Sequence, residues 1–165
     1  MTGEGEVLAL DTPTLLALLK IPASTLNYWV DKGFCTPTLD AGSGKRATRY
    51  WTVEDLVVLR AIKELRAAGC SLQLVTTVEQ RLRDSFQSGL SNAVLYYNGQ
   101  DVFVEEYGVV MSLVRDAGQV VFAETLQITA FRLRPWVEEG RAQATLVDID
   151  GIRARREAAR AKRSA

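Results

Sequence analysis

The residues of this chain whose types and spacing could do chemistry fall between positions 12 and 74. The chemistry they offer is recognition by hydrogen bonds and positive charge. In the segment Thr25-Leu26-Asn27-Tyr28-Trp29-Val30-Asp31-Lys32-Gly33-Phe34, Leu26, Trp29 and Val30 recur at helical spacing, while Asn27, Tyr28, Asp31 and Lys32 take the other side. A basic, glycine-bearing loop follows, Gly42-Ser43-Gly44-Lys45-Arg46-Ala47-Thr48-Arg49-Tyr50. Groups for making and breaking bonds are a different matter. The 165 residues include no histidine, which removes the commonest general base and the commonest metal ligand. Cys35 and Cys70 are far apart and neither has a partner at metal spacing, so both read as small buried or half-buried thiols of a reducing compartment. With no phosphate loop and no base beside a nucleophile, we expect neither an enzyme nor a bound cofactor or metal.

The elements that must position these groups can be read from caps and breakers. Thr12 as N-cap with Pro13 at the first helical position starts a helix whose apolar face is Leu15, Leu16, Leu18 and Leu19. Pro22 turns the chain and Ser24 caps the second helix, which Lys32-Gly33 closes. Thr48-Arg49-Tyr50-Trp51 suits the returning strand of a basic wing. Thr52-Val53-Glu54-Asp55 resembles a capping box with Asp in place of Glu, and Leu56, Leu59, Ile62 and Leu65 form the stripe of the helix it opens. Gly69 ends that helix. Ser71 caps another, in which Leu72, Val75, Val78, Leu82 and Phe86 form a narrow seam suited to a short dimer contact. Helix, tight turn, helix, wing and helix is the layout of a winged helix-turn-helix.

After Gly89 the period changes. Val94 to Tyr97, then Asn98-Gly99, then Val102-Phe103-Val104 predicts a hairpin closed by a type I′ turn. Residues 109–114 predict a strand or short helix, and the β-branched and aromatic content of residues 119–135 favours strands. The fold class is therefore α+β. Residues 1–11 form a flexible lead, 12–70 the helical winged head, 71–88 a connecting or dimerisation helix, 89–150 a small β-rich interaction or dimerisation domain and 151–165 a basic tail. That tail, with Arg153, Arg155, Arg156, Arg160, Lys162 and Arg163 among alanines, favours helix but lacks an apolar face, and reads as solvated or as a nucleic-acid backbone contact. The formal net charge is zero, but residues 91–150 are acidic and the last fifteen basic, so neutrality does not exclude DNA binding. No apolar run is long enough to span a bilayer and the acidic start lacks a secretory signal, giving a cytoplasmic expectation with no membrane partner.

The head resembles the DNA-binding domain of the MerR family of bacterial transcription regulators. The resemblance is carried by Ser24-Thr25-Leu26-Asn27-Tyr28-Trp29 with Lys32-Gly33-Phe34 and Pro37, by Arg49-Tyr50 with Val53-Glu54-Asp55-Leu56, and by Ala68-Gly69-Cys70-Ser71-Leu72. It implies that the second helix lies in the major groove, with Ser24, Thr25, Asn27, Tyr28 and Lys32 facing DNA. Arg46, Arg49 and Lys45 would then be the wing contacts. Asn can pair bidentately with adenine, and Arg in a wing suits a narrow, negative minor groove. Three departures stand out: Asn27 replaces the usual Arg of the groove helix, the metal-sensing cysteines are absent, and the dimerisation helix is short. The expected function is that of a homodimeric, sequence-specific regulator on double-stranded DNA. The alternative is an antitoxin, similar to antitoxins with a MerR-like head, that binds a toxin through residues 90–150 and autoregulates its operon.

Overall fold

The computed structural model describes residues 5–35, 37–39, 49–86, 93–113, 120–121 and 129–164. It is an α+β chain of six helices and eight strands among those residues, in two antiparallel sheets. Strand β1 (Glu6–Asp11) leads into α1 (Thr12–Leu19) and α2 (Ala23–Asp31). β2 (Tyr50–Trp51), α3 (Val53–Ala67) and α4 (Leu72–Phe86) complete the N-terminal part. β3 (Val94–Tyr97), β4 (Val102–Glu106), β5 (Val109–Ser112), β6 (Val120–Val121) and β7 (Thr129–Arg132) form a sheet in the order β6-β5-β4-β3-β7. The chain then returns through α5 (Arg134–Gln143), β8 (Thr145–Asp148) and α6 (Ile149–Ser164).

The return is the main departure from the sequence reading. Residues 6–11, expected as a loose lead, form the centre of the second sheet, β2-β1-β8. Val7 pairs with Val147 and Ala9 with Thr145 on one side, and Leu10 pairs with Trp51 on the other. The first and last parts of the chain thus share one sheet. Helix α5, starting where a strand was expected to run on to Pro135, packs against α3. Arg60 of α3 lies 5.3 Å from the centre of the Trp136 ring and bonds Glu139 at 2.6 Å. Gly140 permits the approach: a Cβ there would stand 2.8 Å from Leu56 Cδ2 and 3.0 Å from Val53 Cγ1. The 89–150 block is therefore not self-contained at its C-terminal end.

Local signals fare unevenly. The capping box forms as expected, with Thr52 Oγ1 accepting from Asp55 N–H and Asp55 accepting from Thr52 N–H, both at 3.0 Å. Leu56, Leu59, Ile62 and Leu65 are all buried, as their spacing requires. Ser71 Oγ accepts from Leu74 N–H at the start of α4. The cap of α1 is Asp11 rather than Thr12: its carboxylate, the stronger acceptor, takes the Thr14 N–H at 2.8 Å, and bonding to the Thr14 side chain, then to its N–H, lowers the Asp11 pKa. Thr12 instead turns its hydroxyl to the wing. Pro22, not Ser24, precedes α2, leaving Ser24 inside the first turn with no side-chain cap bond.

The seam on α4 also has a different use. Val75, Val78 and Leu82 are fully buried in the chain's own core beside α3, so these three positions of the seam pack inward. The β3–β4 hairpin is present, but Tyr97 pairs with Val102 around a four-residue loop instead of a type I′ turn. Asn98 Oδ1 accepts from Gln100 N–H (2.9 Å) and Asp101 N–H (2.8 Å), which favours the wider loop. The tight hairpin is the next one, where Tyr107 (φ 51°) and Gly108 (φ 78°) join Glu106 to Val109. Two consecutive positive φ angles are the type I′ signature.

Candidate nucleic-acid interface

Helix α2 owes its orientation to its inner side. Leu26 and Trp29 are buried, which forces Ser24, Asn27, Tyr28, Asp31 and Lys32 outward, while Thr25 is half-buried. Tyr28 keeps 47% exposure and leans on Phe34, ring centres 6.0 Å apart, so its hydroxyl edge stays available to a ligand. The turn before α2 is held from behind by Lys63 of α3, whose Nζ donates to Leu19 O at 2.8 Å and puts a cation on the C-terminal end of α1.

The wing meets α2 at a named contact. Arg49 Nη1 donates to Asn27 Oδ1 at 3.4 Å. Two side chains singled out independently, one from the groove helix and one from the basic loop, are neighbours in space. Lys45 and Arg46 lie outside the described residues. Arg49 is placed by its backbone as well as its side chain: Thr12 Oγ1 donates to Arg49 O at 3.2 Å and accepts from Trp51 Nε1 at 3.0 Å. Thr12 is thus a positioning residue that sequence reasoning assigned to capping. The contact spans 37 residues, and no local pattern announces it.

Between Thr38, Thr52 and α4 lies a buried ionic cluster that the sequence reading missed. Asp55, fully buried, accepts from Thr38 Oγ1 (2.7 Å), Thr38 N–H (3.1 Å), Thr52 N–H (3.0 Å) and Arg83 Nη1 (2.6 Å). Arg83 also bonds Glu79 on its own helix. Burial opposes the charge on Arg83, but bonding to and attraction by Glu79 and Asp55 prevail and raise its pKa. The cluster ties α4 and α3 to Thr38, which enters the wing beside the Leu39–Tyr50 bridge. An i, i+4 Glu79/Arg83 pair was legible as a helix surface pair; its burial was not.

Cys35 lies in the same region. Burial, reinforced by Glu79 and Asp55 and opposed by Arg83 and Arg49, pushes its thiol up to about 12. Burial raises the Cys70 thiol as well. Both are free and buried, and neither joins a metal-binding group among the described residues. No described helix is long and apolar enough to cross a membrane.

The sequence that builds this face is similar to known proteins. Residues 13–82 match the family model described as MerR HTH family regulatory protein. This part of the chain is similar to a MerR-type helix-turn-helix head. Its match begins one residue into α1 and ends within α4, so it takes in α2, residues 42–50 and Asp55 and stops one residue short of Arg83. Among curated proteins, uncharacterized HTH-type transcriptional regulators of Mycobacterium bovis and Mycobacterium tuberculosis are 25% identical over 91 residues, 55% of this chain. The chain spans 40% of the length of those relatives. The MerR-type resemblance of the head thus holds, and the strand-rich part after it lies beyond the family match.

Proposed function

We propose that the chain is a sequence-specific, DNA-binding transcription regulator in which α2 enters the major groove and the wing at residues 42–50 contacts the adjacent backbone and minor groove. The observation that carries this reading is the Asn27–Arg49 contact. It sets a base-reading amide beside a cation suited to phosphate, on a face that also offers Ser24, Tyr28 and Lys32. Thr25 at the helix start and Lys45 and Arg46 in the loop extend the same set. Asp31 on that face is offset by the adjacent Lys32 at the end of α2.

We further assign the working form as a homodimer, because one such head reads only a few base pairs and useful specificity needs two. Since Val75, Val78 and Leu82 of α4 pack into the core, we take as the apolar surface for a second copy the cross-strand pair Leu8 and Leu146, 51% and 53% exposed at the β8 side of the small sheet.

The test is a double-mutant cycle on duplex affinity. Arg49→Ala lowers binding to every duplex and flattens its salt dependence, while Asn27→Ala costs about 1–3 kcal/mol at one base pair. Because the two side chains touch, the pair is non-additive by about 0.5 kcal/mol or more. Strict additivity, or no effect of either change, contradicts the assignment.

A further inference from the structure

Among the described residues, helix α6 is the one long element whose presence the core does not explain. Of its sixteen residues only Ile149 is buried; Gly151, Ile152 and Arg156 are half-buried and the rest, through Ser164, are exposed. It is fastened at its first turn, where Gly151 N–H donates to Asp148 Oδ1 at 2.8 Å and Ile149 N–H to Gly5 O at 3.2 Å. Beyond that turn, alanines at 154, 158, 159 and 161 favour the helix by propensity, and Arg153 pairs with Asp150 at 3.7 Å.

Its charges are ordered. Six cations stand against the carboxylates of Asp150 and Glu157, in a chain whose net charge is zero. Arg153, Arg156, Arg160 and Arg163 follow at steps of three, four and three, which places all four on one side of the helix. They span roughly 15 Å along its axis, the length over which one DNA strand presents about four phosphates. Arg155 and Lys162 fall on the opposite side.

We infer that this arginine face is a second DNA-backbone contact, lying beside the head and lengthening the footprint on the duplex. The inference rests on the reading of the head as DNA-binding. The occupant follows from chemistry: a protein partner needs an apolar centre to its interface, and α6 beyond its first turn has none. A phosphate backbone needs only cations, and guanidinium groups meet it bidentately. Placement agrees. Strand β1 carries the wing strand at Asp11 and the root of α6 at Glu6, opposite Asp148. Wing root and α6 root are therefore roughly 17 Å apart along one strand, less than one turn of DNA.

The experiment is a salt titration of full-chain binding to a long random-sequence duplex, followed by fluorescence anisotropy. Changing Arg153, Arg156, Arg160 and Arg163 together to Gln, which has a similar helix propensity, lowers the slope of log K against log salt by about 3 to 4. The four-fold Arg→Lys variant restores the slope, and Arg155→Gln with Lys162→Gln shifts it by less than about one. Helix content by circular dichroism stays at the wild-type level in each. An unchanged slope in the four-fold Gln variant overturns the inference, as does an equal fall in the Arg155/Lys162 control, which would make the effect diffuse charge. Poly-glutamate competing as well as duplex DNA would mark an acidic-protein surface and overturn it too. If the four-fold variant loses the slope while Arg49→Ala and Asn27→Ala change nothing, the head reading falls and α6 stands. The reverse pattern sinks the α6 assignment alone, and a wild-type chain with no salt-dependent binding sinks both.

Discussion

Replacing Arg83 by Met tests whether the buried cluster holds the wing root to the rest of the head. The substitution keeps most of the aliphatic stem and removes the cation 2.6 Å from Asp55. Breaking one partner from a buried ion pair costs about 3–5 kcal/mol, because the other charge stays behind uncompensated. Two features reduce that here. The Arg83 side chain is 22% exposed, so water reaches part of the gap, and Asp55 keeps its bonds from Thr38 and Thr52. A loss of about 2–3 kcal/mol follows. Urea unfolding would read it as a lower midpoint with an unchanged m-value. Adding Asp55→Asn removes the stranded charge, so the double variant is more stable than the summed single losses by about 1 kcal/mol or more. A loss below about 1 kcal/mol for Arg83→Met, or strictly additive losses, would refute the reasoning.

Three further outcomes follow from the geometry. The Cys35 thiol has a folded pKa near 12 against 9.0 unperturbed, so the folded state binds its proton more tightly. The stability this confers is full below pH 9 and is lost as pH rises from 9 toward 12; wild type therefore loses about 1.4 kcal/mol per pH unit relative to Cys35→Ala in that window, measured by urea titration at stepped pH. Gly140→Val forces a side chain into Leu56 and Val53 and costs about 2–3 kcal/mol, read as a fall in the thermal midpoint. Tyr107→Asn relieves a left-handed backbone (φ 51°) at a position 88% exposed, and so stabilises by about 0.5–1 kcal/mol; destabilisation would mean that the ring packs in a way its exposure does not indicate.

What was legible in advance was local. Leu26 and Trp29, the Thr52–Asp55 box and the buried stripe of α3 could be read because cap and core lie within a few residues of each other. The Asn98-Gly99 dipeptide gave the right hairpin with the wrong turn, since a side-chain bond from Asn98 outweighed the glycine signal. Tyr107-Gly108 closes the tight turn although Tyr is a poor residue for it, so propensity pointed elsewhere. Pro135 and the Trp136, Val137, Gly140 spacing did carry a helix-start signal for α5, which the apolar run before it masked. The pairing of Ala9 with Thr145 and the burial of Asp55 with Arg83 had no such trace. They depend on where distant segments meet. In the candidate site, the residue types were visible and their contact was not.

The most direct test of the account is a selection of bound duplexes from random DNA at fixed salt, run with wild type and with Asn27→Ala. Wild type should enrich a motif with two-fold symmetry, and Asn27→Ala should lose preference at one base pair in each half-site while keeping the rest. No enriched motif, or an identical motif from both proteins, would contradict the claim that α2 reads sequence through Asn27.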